Sequence, residues 1–212
     1  VRRIASVAGV VAFVLLVASP AARALEIQRS NAFAMRRSVD AVCDVYNARP
    51  HLIRHVQLAR IHDGRSLGSW RLSSDAAVAK LVNAGTLDAD FADVYSRDGK
   101  VVYATLTQGD ASGDGGGARE YCYVNGKLAR ASTQVVDASV DRSMERKLYY
   151  DPSGNLFADT GVVVRDIEKR RNAVVPTASA PPLDIVPYST PSLLPFYTAY
   201  RAALAGTLPA LR

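Results

Sequence analysis

One short phrase recurs down this chain: Asp63-Gly64-Arg65, Asp98-Gly99-Lys100, Asn125-Gly126-Lys127 and, as a variant, Asp151-Pro152-Ser153-Gly154-Asn155. Asp-Gly and Asn-Gly are the pairs that a two-residue hairpin turn demands, because both central residues of a type I′ turn take positive φ. The last three glycines stand 27 and 28 residues apart, room for two strands and their connections. The flanking runs suit strands, being rich in aromatic and β-branched residues. They are Phe91 with Val94 and Tyr95, Val101 to Leu106, Tyr121 to Val124, Lys147 to Tyr150, and Leu156 with Phe157. From Leu128 to Asp137 the residues alternate as a long strand would, although the face meant for solvent is not cleanly polar. Four hairpins in series make an antiparallel meander of about eight strands. In the wider gap before the second turn, Ser73-Ser74-Asp75 caps a short helix carrying Ala77, Val78, Leu81 and Val82.

Ahead of the meander, residues 30–47 read as a helix. Met35, Val39, Val42, Cys43 and Tyr46 form one stripe at helical period. Ser30 or Asn31 supplies the N-cap oxygen, and Pro50 ends the segment. A twisted sheet curling around a helix buries that stripe on its concave face. The fold class expected is therefore α+β: an N-terminal helix packed on a curled antiparallel meander of about four hairpins. The cystatin arrangement is the nearest analogy of shape, and it carries no function. Residues 51–61 suit strand or helix equally.

The first 24 residues constrain location. Arg2 and Arg3 precede an almost unbroken apolar run from Ile4 to Ala18, then Ser19-Pro20 breaks it and Ala22-Arg23-Ala24 forms an A-x-A site. Those are the three parts of a secretory signal peptide, and an apolar core of about 15 residues is short for a membrane span of about 20. Val1 in first place suits translation from a non-AUG codon in a bacterial gene. A periplasmic or secreted protein with no transmembrane span after cleavage is expected. Three arginines leave with the leader, so the net charge of +6 falls to +3, too mild to suggest nucleic acid as a partner. In an oxidising compartment two cysteines read as one disulfide, here Cys43 with Cys122. The basic group Arg165, Lys169, Arg170 and Arg171 reads as a solvated stretch.

The organisation expected is a leader over 1–24, one α+β domain over 25–172, and a Pro-rich arm with a short helix over 173–212. Six of the ten prolines fall between Pro176 and Pro195, as in an extended arm. Beyond them Leu193, Phe196, Tyr197, Tyr200 and Leu204 share one side of a helix that folds back on the sheet or docks on a partner.

Chemistry-bearing patterns are weak. His51 and His55 form an H-x-x-x-H pair, a known way to hold zinc on a helix, but no glutamate stands nearby as base. Asp110, Ser112 and Asp114 followed by Gly115 resemble a calcium loop, yet Tyr121 occupies the place of its closing glutamate and Glu120 comes one residue early. Neither pattern makes a cofactor the expectation. Trp70, Tyr95, Tyr103, Tyr121, Tyr123, Tyr149 and Tyr150 are candidates for a binding platform, or for core and cross-strand pairs. No nucleophile elbow, phosphate loop or dinucleotide fingerprint is present. The expected role is a non-catalytic binding module of the cell envelope, with a protein or envelope component as partner. The alternatives are an enzyme or small-ligand binder with a site in the sheet concavity, and an inhibitor of a secreted hydrolase.

Overall fold

The computed structural model describes residues 20–48, 54–63, 66–74, 76, 77, 80, 89–109, 115–137, 141–166, 171–175 and 183–210. Helix α1 (Pro20–Ala48) leads into strands β1 (Arg54–Asp63), β2 (Ser66–Leu67), β3 (Arg71–Leu72), β4 (Ala89–Arg97), β5 (Lys100–Gly109), β6 (Gly115–Val124) and β7 (Lys127–Asp137). They are followed by β8 (Arg142–Tyr150), β9 (Leu156–Asp159), β10 (Val162–Asp166), β11 (Arg171–Val175) and a C-terminal helix, α2 (Tyr197–Leu204). The strands form one antiparallel sheet in the order β11-β10-β8-β7-β6-β5-β4-β1-β2, with β3 also against β1 and β9 also against β8. This is the α+β class expected.

The Asp-Gly and Asn-Gly turns fold as their chemistry requires. Asp98 and Gly99 take φ of 51° and 72°, and Asn125 and Gly126 take 52° and 78°, which closes the β4–β5 and β6–β7 hairpins. At the third turn Asp151 accepts the backbone N–H groups of Ser153 and Asn155 at 2.8 and 2.9 Å. Those bonds hold its carboxyl below the ordinary carboxylate range, the Asn155 backbone bond acting most strongly. The Gly64 turn and most of the 75–88 segment lie outside the described residues. Ser74 Oγ accepts the Ala77 N–H at 3.3 Å, the cap that the serine pair predicts.

Several boundaries differ from expectation. The helix begins at Pro20, so Ser30 and Asn31 lie inside it rather than at its cap. Residues from Arg54 resolve as strand. Beyond the expected meander, β9 and β10 act as two halves of one bent strand along β8, kinked at Thr160 and Gly161. Here Thr160 Oγ1 accepts the Lys147 N–H at 2.9 Å, while the Thr160 N–H returns to the Lys147 carbonyl. Strand β10 then pairs with β11, placing Arg165 on a strand.

The mixed polarity of β7 follows from coverage on both faces. Residues 128 to 133 are all buried, because alternate side chains meet different layers. Leu128, Ala131, Tyr121 and Tyr123 face the C-terminal segment, packing with Leu194, Phe196 and Tyr200. That segment crosses the sheet as a strap. Arg146 donates to the Leu183 carbonyl, Tyr123 donates its hydroxyl to the Tyr188 carbonyl, and Leu128 N–H donates to Ser189. At its end Leu72 N–H donates to the Pro209 carbonyl. The C-terminal helix therefore docks on its own sheet. Among the described residues no helix is long and apolar enough to cross a membrane.

On the opposite face Cys43 bonds Cys122, the pairing expected. The chain-entropy model assigns a loop of this length about 4 kcal/mol. The variant carrying Cys43→Ser and Cys122→Ser should lose about that much in urea unfolding, and about 10 °C in melting temperature. A reduced protein that melts with the oxidised one would contradict the role given to this bond.

Candidate functional site

Helix α1 lies across the strands rather than along them. One register row runs His55, Tyr95, Tyr103, Cys122, Arg130, Tyr149 from β1 to β8, and the helix follows it. Arg36 stacks on the Tyr149 ring, Asp40 and Asp44 receive Arg130, Cys43 bonds Cys122, and Arg97 stacks on Tyr46. Ten helical residues cover about 15 Å, against about 19 Å for the four inter-strand steps of about 4.8 Å that separate β8 from β4. Three β-bulges, with the extra residues Val102 in β5, Ala129 in β7 and Phe157 in β9, fall immediately beside this row. Bulges bend and twist strands locally, so the sheet curves where the helix sits.

Arg130 is the electrostatic centre of the seam. Its side chain is 4% exposed, and its Nη1 donates to Asp40 at 2.7 Å and to Asp44 at 2.9 Å. Burial opposes its charge, but the two carboxylates outweigh burial and hold the guanidinium above its ordinary pKa. Tyr149 donates its hydroxyl to Asp40 at 3.0 Å; burial, then the nearby Asp40 charge, pushes this phenol up to about 12. The space between helix and sheet is filled by Cys43, Tyr103 and Cys122, with Val39, Tyr46 and Tyr95 against them.

The helix divides this face into two unlike flanks. Toward the hairpin turns lies an apolar groove of about 410 Å³. One wall is Met35, Ser38, Val39 and Val42 of α1; the other is formed by the β6–β7 turn at Val124 to Ala129 and the turn after β8 at Tyr150 to Pro152. Lys127 Nζ donates to the Pro152 carbonyl at 2.8 Å, tying the two turns together. Met35 is 40% exposed, Val42 38% and Val124 37%. The expected stripe is therefore split: Val39, Cys43 and Tyr46 meet the sheet, while Met35 and Val42 rim an open groove.

The other flank is polar. The next register row holds Gln57, Asp93, Thr105, Glu120, Ser132 and Lys147. Buried Ser132 donates to Glu120 at 3.1 Å, and burial together with the Glu120 charge raises the Tyr103 phenol above its ordinary pKa. Asp93 lies 2.7 Å from His55 Nε2 and accepts Thr105 Oγ1 at 3.3 Å. On the strap side, near the far end of β1, buried Asp90 accepts Arg60 Nε at 2.6 Å with His62 Nε2 at 3.2 Å, and the Arg60 guanidinium lies over Trp70.

The sequence candidates scatter. Tyr121 and Tyr123 face the C-terminal strap, Tyr103 and Tyr149 face α1, and all four are at most 1% exposed. They build the two cores rather than one exposed platform. Trp70 and Tyr150 pack against the strap-side core, and Tyr95 stacks on His55 at 4.6 Å. His51, Asp110, Ser112 and Asp114 lie outside the described residues, while Glu120 and His55 take the side-chain partners given above. Among the described residues no three His, Cys, Asp or Glu side chains converge on a metal position. Sequence reading missed Arg130 and the groove. Its one available signal was the acidic pair Asp40 and Asp44, spaced i, i+4 beside the helical stripe and calling for a cation.

No protein-family model, curated protein or solved structure matches the chain.

The Arg130 seam predicts an asymmetry. Replacing Asp40 and Asp44 together by alanine strands a buried cation and should cost about 3–5 kcal/mol. Arg130→Met leaves two carboxylates within reach of water and should cost only about 1 kcal/mol. Urea midpoints of the two variants decide the matter; a more damaging Arg130→Met would refute it.

Proposed function

We propose that this chain is an exported, non-catalytic binding module of the cell envelope. In this reading its partner seats an apolar surface in the groove between α1 and the hairpin turns. The groove carries the reading. It is preformed, since the disulfide and Arg130 hold its helical wall and the Lys127–Pro152 bond its floor. It is also apolar along the exposed side chains Met35, Val42 and Val124, the pattern of a helix-in-groove or apolar-peptide site. The filled interior beneath α1 supports binding on the surface over chemistry in the concavity. Export is supported by the leader pattern and by a disulfide that an oxidising compartment would preserve.

A photo-cross-linking residue at position 42, in cells producing the protein, tests both parts. The expected result is a discrete adduct in the periplasmic or secreted fraction, on a chain beginning at Leu25. Val124→Asp should reduce it about tenfold, the effect of roughly 1.4 kcal/mol of lost binding. Placing the probe at Arg142, exposed at the far end of β8, should give no adduct. Equal adducts from both positions, or a chain retained with its leader in the cytoplasm, would refute the reading.

A further inference from the structure

The outward face of α1 is patterned as one half of a coiled coil. Over residues 31–45 it keeps a strict seven-residue register. With Asn31 at position a of a heptad lettered a to g, Ser38 and Val45 also fall at a, Ala34 and Ala41 at d, and Met35 and Val42 at e. All seven are exposed. Arg36, Val39, Asp40, Cys43 and Tyr46, which meet the sheet, fall at b, c and f. The sheet and the heptad seam therefore occupy opposite sides of the same helix.

Charge runs against the habit of a surface helix, which turns its charged face to water. None of the seven seam residues is charged, while Arg36 and Asp40 point at the sheet. The other two charges, Arg37 and Asp44, both stand at g, along one edge of the seam. Arg37 is exposed and lies over the Phe33 ring at 6.0 Å. Among the described residues no carboxylate lies within ion-pair distance of it. The Asp44 side chain is 66% exposed and receives Arg130, and a carboxylate accepts more than one donor.

Those edges select the partner and its direction. In an antiparallel helix pair e meets e and g meets g, whereas a parallel pair sets g against e. Two copies of α1 laid antiparallel bring Arg37 of each to Asp44 of the other on one edge, and Met35 to Val42 on the other. A parallel pair would set both charges against Met35 and Val42. Between the edges Ala34 faces Val45 and Ser38 faces Ala41, small enough for the axes to approach to about 8 Å. Such a surface is complementary to itself, as a two-fold dimer requires.

We propose that a second copy of this chain docks on this face, α1 against α1, antiparallel and two-fold symmetric. The inference rests on the reading of the groove as a docking site and names what covers it, since Met35 and Val42 are also the groove's helical rim.

Sedimentation velocity of the purified, oxidised protein should show a monomer–dimer equilibrium that weakens as salt rises. Arg37→Asp, which opposes like charges on the g edge, and Ala41→Asp, which puts a charge in the seam, should each weaken it about tenfold or more. Arg201→Asp, a charge reversal on the exposed side of α2, should leave it unchanged. Urea midpoints of the dilute monomers should match for wild type and Arg37→Asp, which separates lost pairing from lost fold. Spin labels on Asn31→Cys should stand about 25 Å or more apart in the dimer, because position 31 then lies opposite position 48. A protein monomeric up to about 1 mM, equal pairing by wild type and Arg37→Asp, or labels at about 10 Å as in a parallel pair would overturn the proposal. A monomer whose cross-link from position 42 joins a different protein would overturn self-pairing alone. Loss of that cross-link as well would remove the groove reading with it.

Discussion

The seam between α1 and a single register row is the constraint on which the rest of this structure depends. A helix laid across an antiparallel sheet meets each strand once, so each strand beneath it contributes one residue to the contact. Here those residues are Tyr95, Tyr103, Cys122, Arg130 and Tyr149, and their chemistry is a covalent bond, a buried cation and aromatic rings. Apolar burial contributes little area, because among the described side chains of the helix only Cys43 is fully buried. The seam is narrow and strong instead of broad and oily. That is why the helix keeps an apolar side to spare, and why a groove is left beside it.

The other face is held by different physics. From Leu183 to Ala210 the chain crosses the strands through backbone bonds at Leu183, Tyr188, Ser189 and Pro209 and through buried Leu194, Phe196 and Tyr200. This is a hydrophobic layer of the usual kind, with Trp70 edge-on to Phe196 and Tyr188 tilted over Tyr121. The sheet thus carries one layer fixed by polar and covalent bonds and another fixed by burial. The apolar groove lies where one of these layers ends, at one side of α1.

Much of the fold was legible in sequence, for local reasons. Asp98-Gly99 and Asn125-Gly126 have little choice of turn, Cys43 and Cys122 had only each other, and Phe91 to Tyr95 suit a strand wherever they are placed. The missed parts depend on what lies opposite in space. Residues 128 to 133 looked ambiguous because both faces of β7 are covered, and no local pattern distinguishes that from a poor strand. β10 and β11 carry charges at Arg165, Asp166 and Arg171 that resemble a solvated run, though Asp166 sits opposite Arg142 on one side and Arg171 on the other. The groove was hidden by its own signal: Met35 and Val42 look like core residues until the helix is seen to rest on Val39, Cys43 and Tyr46.

The central claim is that the two layers hold the sheet independently, one through the Cys43–Cys122 seam and one through the strap. Amide hydrogen exchange of the oxidised and reduced protein at one pH tests it directly. Reduction should remove protection from residues 36–46 of α1, while β6 and β7 stay protected beneath the strap. Loss of protection in both at once, or in neither, would contradict the account.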